Sequence, residues 1–285
     1  MSTAPRSPLV SVVIPVRNGM PYLPEAIASA LAELTDDGEL IVRDNCSSDG
    51  TAEWLATVGD PRVTVVSSER DMTAGENWSA VCAASRGRWV KVLCADDFLL
   101  PGALQLQLEV AESTSGAVLV ASRRQVVGPD GAVMIASHGL RGLVGDFDGG
   151  DAIARSVATG TNQFGEPASV LMRGDLLRQS LPFTTQFPYL TDLDMYARVL
   201  VHGRFVGLAE VHAGFRVSAA SWSSEVGSRQ LAEFQGWVRE HQADGSLRLS
   251  PVRRARAAIA IPAVFVARRA VSALMSRRRT RAQSR

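Results

Sequence analysis

The sequence predicts an α/β protein with a Rossmann-like, mostly parallel central sheet flanked by helices. The chain has 285 residues, 46% of them hydrophobic, and a formal net charge of only +1, which excludes disorder for most of it. Short β-branched segments alternate with segments of helical periodicity over residues 1–125. The apolar runs in the strand segments are continuous and do not alternate with polar residues, which is typical of parallel strands covered on both faces.

The first half of the sequence predicts five strands and the helices between them. The strands are expected at Val10–Pro15, Glu39–Asp44, Arg62–Ser67, Trp89–Ala95 and Ala117–Ser122. The first helix is expected over Leu23–Leu34, and the second is expected to begin near Ser48–Thr51. The third is expected to run from a capping box of Thr73 and Glu76 to Ser85. The fourth is expected to have Pro101 at its first helical position.

The second half predicts less regular structure. Gly-Pro-Asp-Gly at 128–131 lies between apolar pairs and predicts a hairpin over Val126–Ile135. Further strands are expected at Ser169–Met172, Phe205–Leu208 and Val211–Val217, and further helices at Thr191–Val201, closed by His202-Gly203, and Gln230–His241.

The near-neutral net charge conceals an uneven distribution. Residues 251–285 contain ten arginines and no acidic residue, which leaves 20 basic and 29 acidic residues in the preceding 250, a balance of −9. An acidic body and a +10 tail are expected to have different partners.

Cysteine usage and terminal sequences predict a cytoplasmic protein. Cys46, Cys82 and Cys94 are far apart and form neither a disulfide framework nor a zinc-binding spacing. The N-terminal segment is too short and too polar for a signal peptide. The apolar run Ala257–Ala267 contains Pro262 and is too short to span a bilayer.

Polar residues follow three of the predicted strands. Arg17-Asn18-Gly19 follows the first, Asp44 to Thr51 begins at the end of the second, and Asp96-Asp97 follows the fourth. The carboxyl ends of parallel strands meet at one edge of a sheet, where ligands bind. Asp49-Gly50 is best explained as an ordinary strand end and helix cap. The adjacent carboxylates of Asp96 and Asp97 repel each other and predict a Mg²⁺ or Mn²⁺ site shared with substrate phosphates.

Common nucleotide-binding loops are missing from the sequence. It contains neither GxGxxG after the first strand nor GxxxxGK[ST], and Lys91 is its single lysine, which excludes a Walker-type ATPase.

Six segments together resemble glycosyltransferase family 2, whose members have the GT-A fold. They are SVVIPVRNG (11–19), ELIVRDNCSSDGT (39–51), TAGENWSAVCAASRGRWVKVLCADDFLLPGAL (73–104), GEPASVLMR (165–173), TDLDMYARV (191–199) and FRVSAASWS (215–223). They occur in the family's order and span most of the chain.

The resemblance implies an inverting glycosyltransferase that takes its sugar from a nucleoside diphosphate. Pro15, Val16 and Asp44 match positions that hold the nucleotide base. Asp97 matches the direct metal ligand of a DxD-type element, and Asp96 lies nearer the ribose or sugar and is a second metal candidate. Asp192 matches the general base on the acceptor hydroxyl, and Glu166-Pro-Ala-Ser matches a segment near the acceptor. Arg17, Asn18 and Asn77 complete the predicted donor site.

Helix geometry supports Asp192 over its neighbour. Asp192 and Asp194 are separated by about 200° around a helix, so both cannot face one site. Asp194 has Arg198 four residues later, the spacing of a surface ion pair. Asp192 is then expected to be both N-cap and base.

Three positions depart from the family pattern. Arg17 replaces a frequent Tyr, Cys94 replaces a first Asp, and Ser218 replaces a histidine that helps to bind metal or diphosphate. Arg216 is expected to compensate for the missing histidine. His138, His202, His212 and His241 match no ligand position and are expected to be solvated or locally hydrogen-bonded.

The expected domain division is 1–223 for the GT-A domain, with a donor half at 9–125 and an acceptor half at 126–223, followed by a helical basic extension at 224–285. The tail fits an anionic membrane surface at the inner face of the plasma membrane, and a disordered basic tail is the alternative. A lipid-linked or other glycan is the expected acceptor. Nucleic acid is not an expected partner, because no aromatic residues are interleaved with the arginines.

Two other functions are weighed against transfer. A nucleotide-sugar-binding scaffold without turnover is compatible with Cys94 and Ser218. A sugar-phosphate nucleotidyltransferase requires a glycine-rich, Arg-bearing loop and a phosphate-binding lysine after the first strand, and IPVRNGMP offers neither.

Overall fold

A computed structural model describes residues 7–217 and 229–266 of the chain. Ser218, the end of the FRVSAASWS segment, the expected boundary at 223 and the arginines from 268 onward lie outside the described residues. The division into domains stays a prediction.

Strands account for one layer of the described structure. Their bounds are β1 Val10–Val16, β2 Gly38–Asp44, β3 Val63–Ser67, β4 Trp89–Val92, β5 Phe98–Leu99, β6 Ala117–Val127, β7 Val133–His138, β8 Gly145–Asp148, β9 Val170–Arg173 and β10 Arg204–Arg216.

Helices flank these strands. Their bounds are α1 Leu23–Glu33, α2 Thr51–Leu55, α3 Ala74–Ala84, α4 Ala103–Ser113, α5 Gly149–Ala158, α6 Gly174–Gln179, α7 Thr191–Leu200, α8 Gln230–Ala243 and α9, residues 251–266. Short 3₁₀ turns lie at Pro167–Ser169 and Pro188–Leu190.

All ten strands join one mixed sheet. Its order is β3-β2-β1-β4-β9-β6-β10-β5, with β7 on β6 and β8 on β10. The β3-β2-β1-β4 part is parallel, as predicted. β9 enters antiparallel between β4 and β6, so the sheet is parallel in its N-terminal part and mixed beyond it. The α/β class with a central sheet flanked by helices is confirmed.

Two apolar clusters cover the two faces of the sheet. Val12 and Ile14 of β1 pack with α1 and α4, whereas Val13 packs on the opposite face with α3, α5, α7 and α8. Alternate residues of a buried strand therefore serve two cores, which explains the continuous apolar runs in the sequence.

Lys91 is an exception inside this sheet. It is fully buried on β4, and its Nζ donates to the carbonyl oxygens of Ala168 at 2.9 Å and Val170 at 3.2 Å. Burial lowers the pKa of its ammonium group to about 7. The lysine ties β4 to the segment that begins β9.

Several element boundaries differ from the sequence expectations. The fourth strand ends at Val92 and not at Ala95. The expectation that Pro101 occupies the first helical position is wrong: Gly102, at φ +80°, is the N-cap, and α4 begins at Ala103. The two strands expected over 205–217 are one strand, β10, whose pairing with β6 is irregular between Leu208 and Ala213.

Other elements follow the expectations closely. Thr73 and Glu76 form the predicted capping box of α3. The hairpin is present, since β6 and β7 pair antiparallel around the turn at 128–131. Helices α5 and α6 were not predicted from the sequence; α6 has only six residues, a length that carries little periodicity.

Candidate active site

The carboxyl ends of β1 and β2 form the first part of the site. Val16 pairs with Asp44 in parallel register, so the residues after both strands emerge side by side. Val16 and Asp44 are buried, and so is Asn77 on α3. The Asn77 Nδ2 donates to the Val16 carbonyl oxygen at 3.4 Å. Pro15 is buried one residue before Val16. The structure therefore brings together four predicted donor-site residues.

Side-chain hydrogen bonds hold the two loops together. The Ser47 hydroxyl donates to Asp44 Oδ1 at 2.5 Å and accepts from the Asn18 backbone N–H at 2.8 Å. Asn18 Oδ1 accepts from the Ser48 backbone N–H at 2.9 Å. Asn18 and Cys46 both have a φ of +54°, an uncommon conformation for residues other than glycine. The loops are fixed in one shape by their own contacts.

Arg17 takes no part in these loop contacts and pairs with Asp71 instead. Its guanidinium donates to Asp71 at 2.7 Å, and both side chains are about half exposed, at 52% and 54%. Asp49 accepts from Met20 N–H and from the Thr51 backbone and hydroxyl, which is the local structural role expected for it.

Asp96 and Asp97 lie in the loop between β4 and β5. Asp97 is only 2% exposed, and its Oδ1 accepts from the Arg216 backbone N–H at 3.0 Å. Burial, and next the negative charge of Asp96, raise the pKa of Asp97 well above its usual value. Asp96 is partly exposed. A buried carboxylate with an acidic neighbour is an environment that a cation stabilises.

Arg216, at the end of β10, lies beside this acidic pair without pairing its guanidinium to either carboxylate. Nη2 donates to Glu25 Oε2 at 2.5 Å, and Nε donates to the backbone oxygen of Asp96 at 3.0 Å. The guanidinium also stacks over the rings of Tyr22 and Phe98. Arg216 thus holds the Asp96-Asp97 loop through its own backbone N–H and its Nε, and its Nη2 joins this loop to Glu25 on α1.

Asp96 and Asp97 are the candidate metal ligands of the site. Among the described residues no group of three or more His, Cys, Asp or Glu side chains is placed to hold a metal ion. Mg²⁺ commonly takes one or two carboxylates and completes its shell with water and substrate phosphates. The Asp96-Asp97 pair, with the raised pKa of Asp97, fits that mode of binding.

Asp192 lies in the first turn of α7. The expectation that it is the N-cap is wrong, because Leu190 is the N-cap and Thr191 the first helical residue. Its Oδ1 accepts from the Leu193 N–H at 2.7 Å and its Oδ2 from Asn162 Nδ2 at 2.8 Å. Burial raises the pKa of Asp192 to about 7, to which the charge of Glu166 contributes, while the two hydrogen bonds oppose the rise. A carboxyl group of this pKa is suited to proton transfer near neutral pH.

Glu166 connects the acidic groups. Its negative charge raises the pKa of both Asp97 and Asp192. It forms an ion pair with Arg124, a buried residue of β6. The Tyr196 hydroxyl, one helical turn after Asp192, is buried without a hydrogen-bond partner among the described residues. These contacts place the 165–173 segment beside the acidic groups.

Two further side chains of this site, Arg124 and Asn162, were not predicted from the sequence. Arg124 pairs with a residue 42 positions away, and Asn162 with a residue 30 positions away. Neither stands in a local motif, so no sequence signal short of the three-dimensional fold identifies them.

The expected pair of Asp194 and Arg198 is present, but the expectation that it lies at the surface is wrong. Asp194 is 5% exposed and binds Arg198 at 2.7 Å, Trp237 Nε1 at 2.9 Å and His241 Nε2 at 3.3 Å. It connects α7 to α8. The His241 ring stacks on Trp237, and its Nδ1 lies 2.9 Å from the Trp237 carbonyl oxygen, so it is locally hydrogen-bonded, as expected.

A family model described as Glycosyl transferase family 2 matches residues 11–165, more than half of the chain. The chain belongs to glycosyltransferase family 2. The matched region contains the β1 and β2 loops and Asp96-Asp97, and it ends just before Glu166.

A curated relative has a similar sequence over part of its length. Over 124 residues the chain is 36% identical to the succinoglycan biosynthesis protein ExoO of Rhizobium meliloti (strain 1021), a match that covers 44% of this chain and 35% of that protein. The chain thus spans about a third of the relative's length.

Solved structures show the same fold. S. aureus TarS superposes with a TM-score of 0.60 at 15% identity, covering 88% of this chain and 78% of that one. The mannosyltransferase PcManGT of Pyrobaculum calidifontis, solved in complex with GDP-Man and Mn²⁺, superposes with a TM-score of 0.61 at 16% identity, covering 97% and 81%. These likenesses support the GT-A fold for the family 2 chain.

Proposed function

We propose that the chain is an inverting glycosyltransferase that moves a sugar from a nucleoside diphosphate to an acceptor hydroxyl in a single in-line displacement. The observation that carries the proposal is the environment of Asp192, a hydrogen-bonded carboxyl group whose pKa of about 7 is set by burial and by Glu166. Membership of family 2 supplies the reaction class.

The donor is proposed to lie against the β1 and β2 loops. Asp44 would hydrogen-bond the edge of the nucleotide base, with Pro15 and Val16 forming its apolar surroundings. Asn18 and Asn77 hold the shape of this surface, and Arg17 lies at its exposed margin. The solved structures of S. aureus TarS with UDP-GlcNAc and of PcManGT with GDP-Man support a nucleotide-sugar donor by likeness of fold.

Asp97 and Asp96 are the residues that would hold Mg²⁺ or Mn²⁺. When bound, the ion would neutralise the charge of the departing nucleoside diphosphate. Arg216 keeps both residues in place through the Asp97 carboxylate and the Asp96 carbonyl.

Asp192 is proposed to take the proton from the acceptor hydroxyl. Asn162 and the Leu193 N–H fix both carboxylate oxygens, so the orientation of the base is set before the acceptor arrives. Base catalysis of this kind contributes ~10²–10⁴-fold in rate.

The acceptor is proposed to be a glycan or a lipid-linked glycan in polysaccharide or cell-wall biosynthesis. The similarity to a succinoglycan biosynthesis protein supports this class. The proposed location is the cytoplasmic face of the plasma membrane, to which the arginine-rich tail would be attracted. Within the described residues no helix is both long enough and apolar enough to cross a membrane.

The decisive experiment separates donor binding from turnover. A panel of nucleotide sugars is tested with and without Mn²⁺, by calorimetry for binding and by slow donor hydrolysis for turnover. Asp192→Asn is expected to lower turnover by ~10²-fold or more and to leave donor binding unchanged. Asp97→Asn is expected to lower donor binding and to abolish its dependence on Mn²⁺.

Glu53→Gln, an acidic and exposed position on α2, is the control and should behave as wild type in both assays. Full turnover in Asp192→Asn would disprove the base assignment. Binding of all donors alike without metal would disprove the role of Asp96-Asp97. Donor binding without any turnover in the wild type would instead favour a nucleotide-sugar-binding scaffold.

A further inference from the structure

Helix α9 is attached to the body of the protein along one apolar face. Ala257, Ile261 and Phe265 are 3%, 4% and 5% exposed and recur every four residues. The Phe265 ring contacts Tyr189 and Phe234, with centroids 5.8 Å and 6.1 Å apart. This face explains one of the two sets of apolar residues in the helix.

The second apolar set lies on the opposite face. Val252, Ile259 and Val266 are 69%, 73% and 66% exposed and recur every seven residues, so they form one stripe. At about 100° per residue, Ile259 lies roughly 160° around the helix from Ile261. An exposed apolar stripe on a helix whose other face is already packed has no structural role within the described chain.

The charged residues of α9 itself are all arginines. Arg254 and Arg256 are exposed, whereas Arg253 turns inward to Asp151 at 2.6 Å. The chain continues for 19 residues beyond 266, and those residues contain seven arginines and no acidic residue. The stripe is therefore followed at once by a strongly cationic segment.

We propose that the outward face of α9 is a docking surface for an anionic phospholipid bilayer. Val252, Ile259 and Val266 enter the interface, and Arg256 on the same helix binds lipid headgroups. The positive charge of the sequence after 266 adds to the attraction. An apolar helix face flanked by arginine is the combination that interfacial helices use. Because Phe265 and its neighbours hold the other face of α9, the helix docks as a rigid part of the protein.

The proposal deepens the proposed peripheral location and is independent of the transfer chemistry. Full-length protein is mixed with vesicles of phosphatidylcholine and phosphatidylglycerol, or of phosphatidylcholine alone, and the bound fraction is measured by flotation. Wild type is expected to bind the anionic vesicles. Ile259→Glu with Val266→Glu is expected to lower the partition coefficient by roughly tenfold or more, because each substitution puts a charge into the apolar interface.

The matched control is Val133→Glu with Met134→Glu on β7, where both side chains are also exposed, at 55% and 53%. It should bind like wild type. Equal binding of the α9 variant and wild type would overturn the proposal, since the arginine tail alone would then account for binding. The proposal would also be overturned if wild type did not bind vesicles. It would likewise be overturned if wild type formed a dimer through α9 and did not bind vesicles.

Two further measurements remove ambiguity. Circular dichroism should show unchanged melting of the α9 variant, because both substituted side chains are exposed. Donor hydrolysis in solution should match wild type. Loss of vesicle binding with normal hydrolysis supports the docking surface, whereas normal vesicle binding with no hydrolysis in any protein rejects only the proposed function.

Discussion

Asp192 and Asp194 lie two residues apart on α7 and have opposite electrostatic environments. Burial and Glu166 raise the pKa of Asp192 to about 7. Burial also raises the pKa of Asp194, but hydrogen bonds from His241 and Trp237 and the charge of Arg198 outweigh it and leave this pKa below its usual value. One helix turn thus carries the proposed proton acceptor and a structural anion.

The rate is expected to depend on pH through Asp192. The base form increases as pH rises through about 7, so kcat/KM for transfer should rise over that range and level off above it. Glu166→Gln removes a negative charge that favours protonation of Asp192, so the rising limb should move to lower pH. Glu53→Gln, on the exposed surface of α2, should leave the limb in place. A limb that stays in place in Glu166→Gln would contradict this account.

Substitution of Asp194 is expected to affect stability. Asp194→Asn breaks a buried ionic cluster that joins α7 to α8 and should cost about 3 kcal/mol. Because the pKa of Asp194 is lowered in the folded state, its contribution is present above the unfolded pKa and disappears as pH falls. Thermal melts at neutral and acidic pH measure both effects.

Asp175→Asn is the matched control for that experiment. It breaks the ion pair of Asp175 with Arg173, and the Asp175 side chain is 47% exposed. Its effect should be below about 1 kcal/mol. Equal destabilisation by the two substitutions would show that the Asp194 cluster has no special weight.

At this scale the sequence predicted the Asp194–Arg198 pair but placed it at the surface, and it assigned Asp192 to the N-cap position that Leu190 occupies. Helical spacing correctly separated Asp192 from Asp194. It gave no information on Trp237 or His241, which lie 43 and 47 residues after Asp194 and reach it only through the packing of α8. Long-range partners decide burial, and burial decides pKa.

At the scale of elements, α9 contains a direct test of its two faces. Phe265→Ala removes a ring that is 5% exposed and should cost about 3 kcal/mol of unfolding free energy. Ile259→Ala, at a side chain 73% exposed, should change it by less than about 0.5 kcal/mol. Urea denaturation measures both, and similar costs would contradict the assignment of the faces.

Strands and long helices were more predictable than short elements. β1, β2, β3 and β6 have apolar runs long enough to identify, and the Thr73–Glu76 box located the start of α3 within one residue. β5 has two residues and pairs with a part of β10 that lies about 115 residues later in the chain. β8 has four residues and pairs with a part of β10 about 60 residues later. Pairing partners of that separation are not encoded locally.

At the scale of the whole molecule, the uneven charge distribution acquires a structural boundary. The acidic body includes the carboxylates of the site, while the basic segment begins on α9, which is itself packed against the body through Phe265. A chain cut at Ser250 therefore loses part of the core together with the arginines. Studies of the tail are better served by surface substitutions on α9 than by truncation.

The burial of Lys91 has a practical consequence for labelling. It is the single lysine of the chain, and its ammonium group is enclosed by the carbonyl oxygens of Ala168 and Val170. Amine-reactive reagents will therefore find no accessible side-chain amine while β4 and β9 stay paired. Acylation of Lys91, read out by mass spectrometry, reports on opening of the sheet beside the site without any engineered probe.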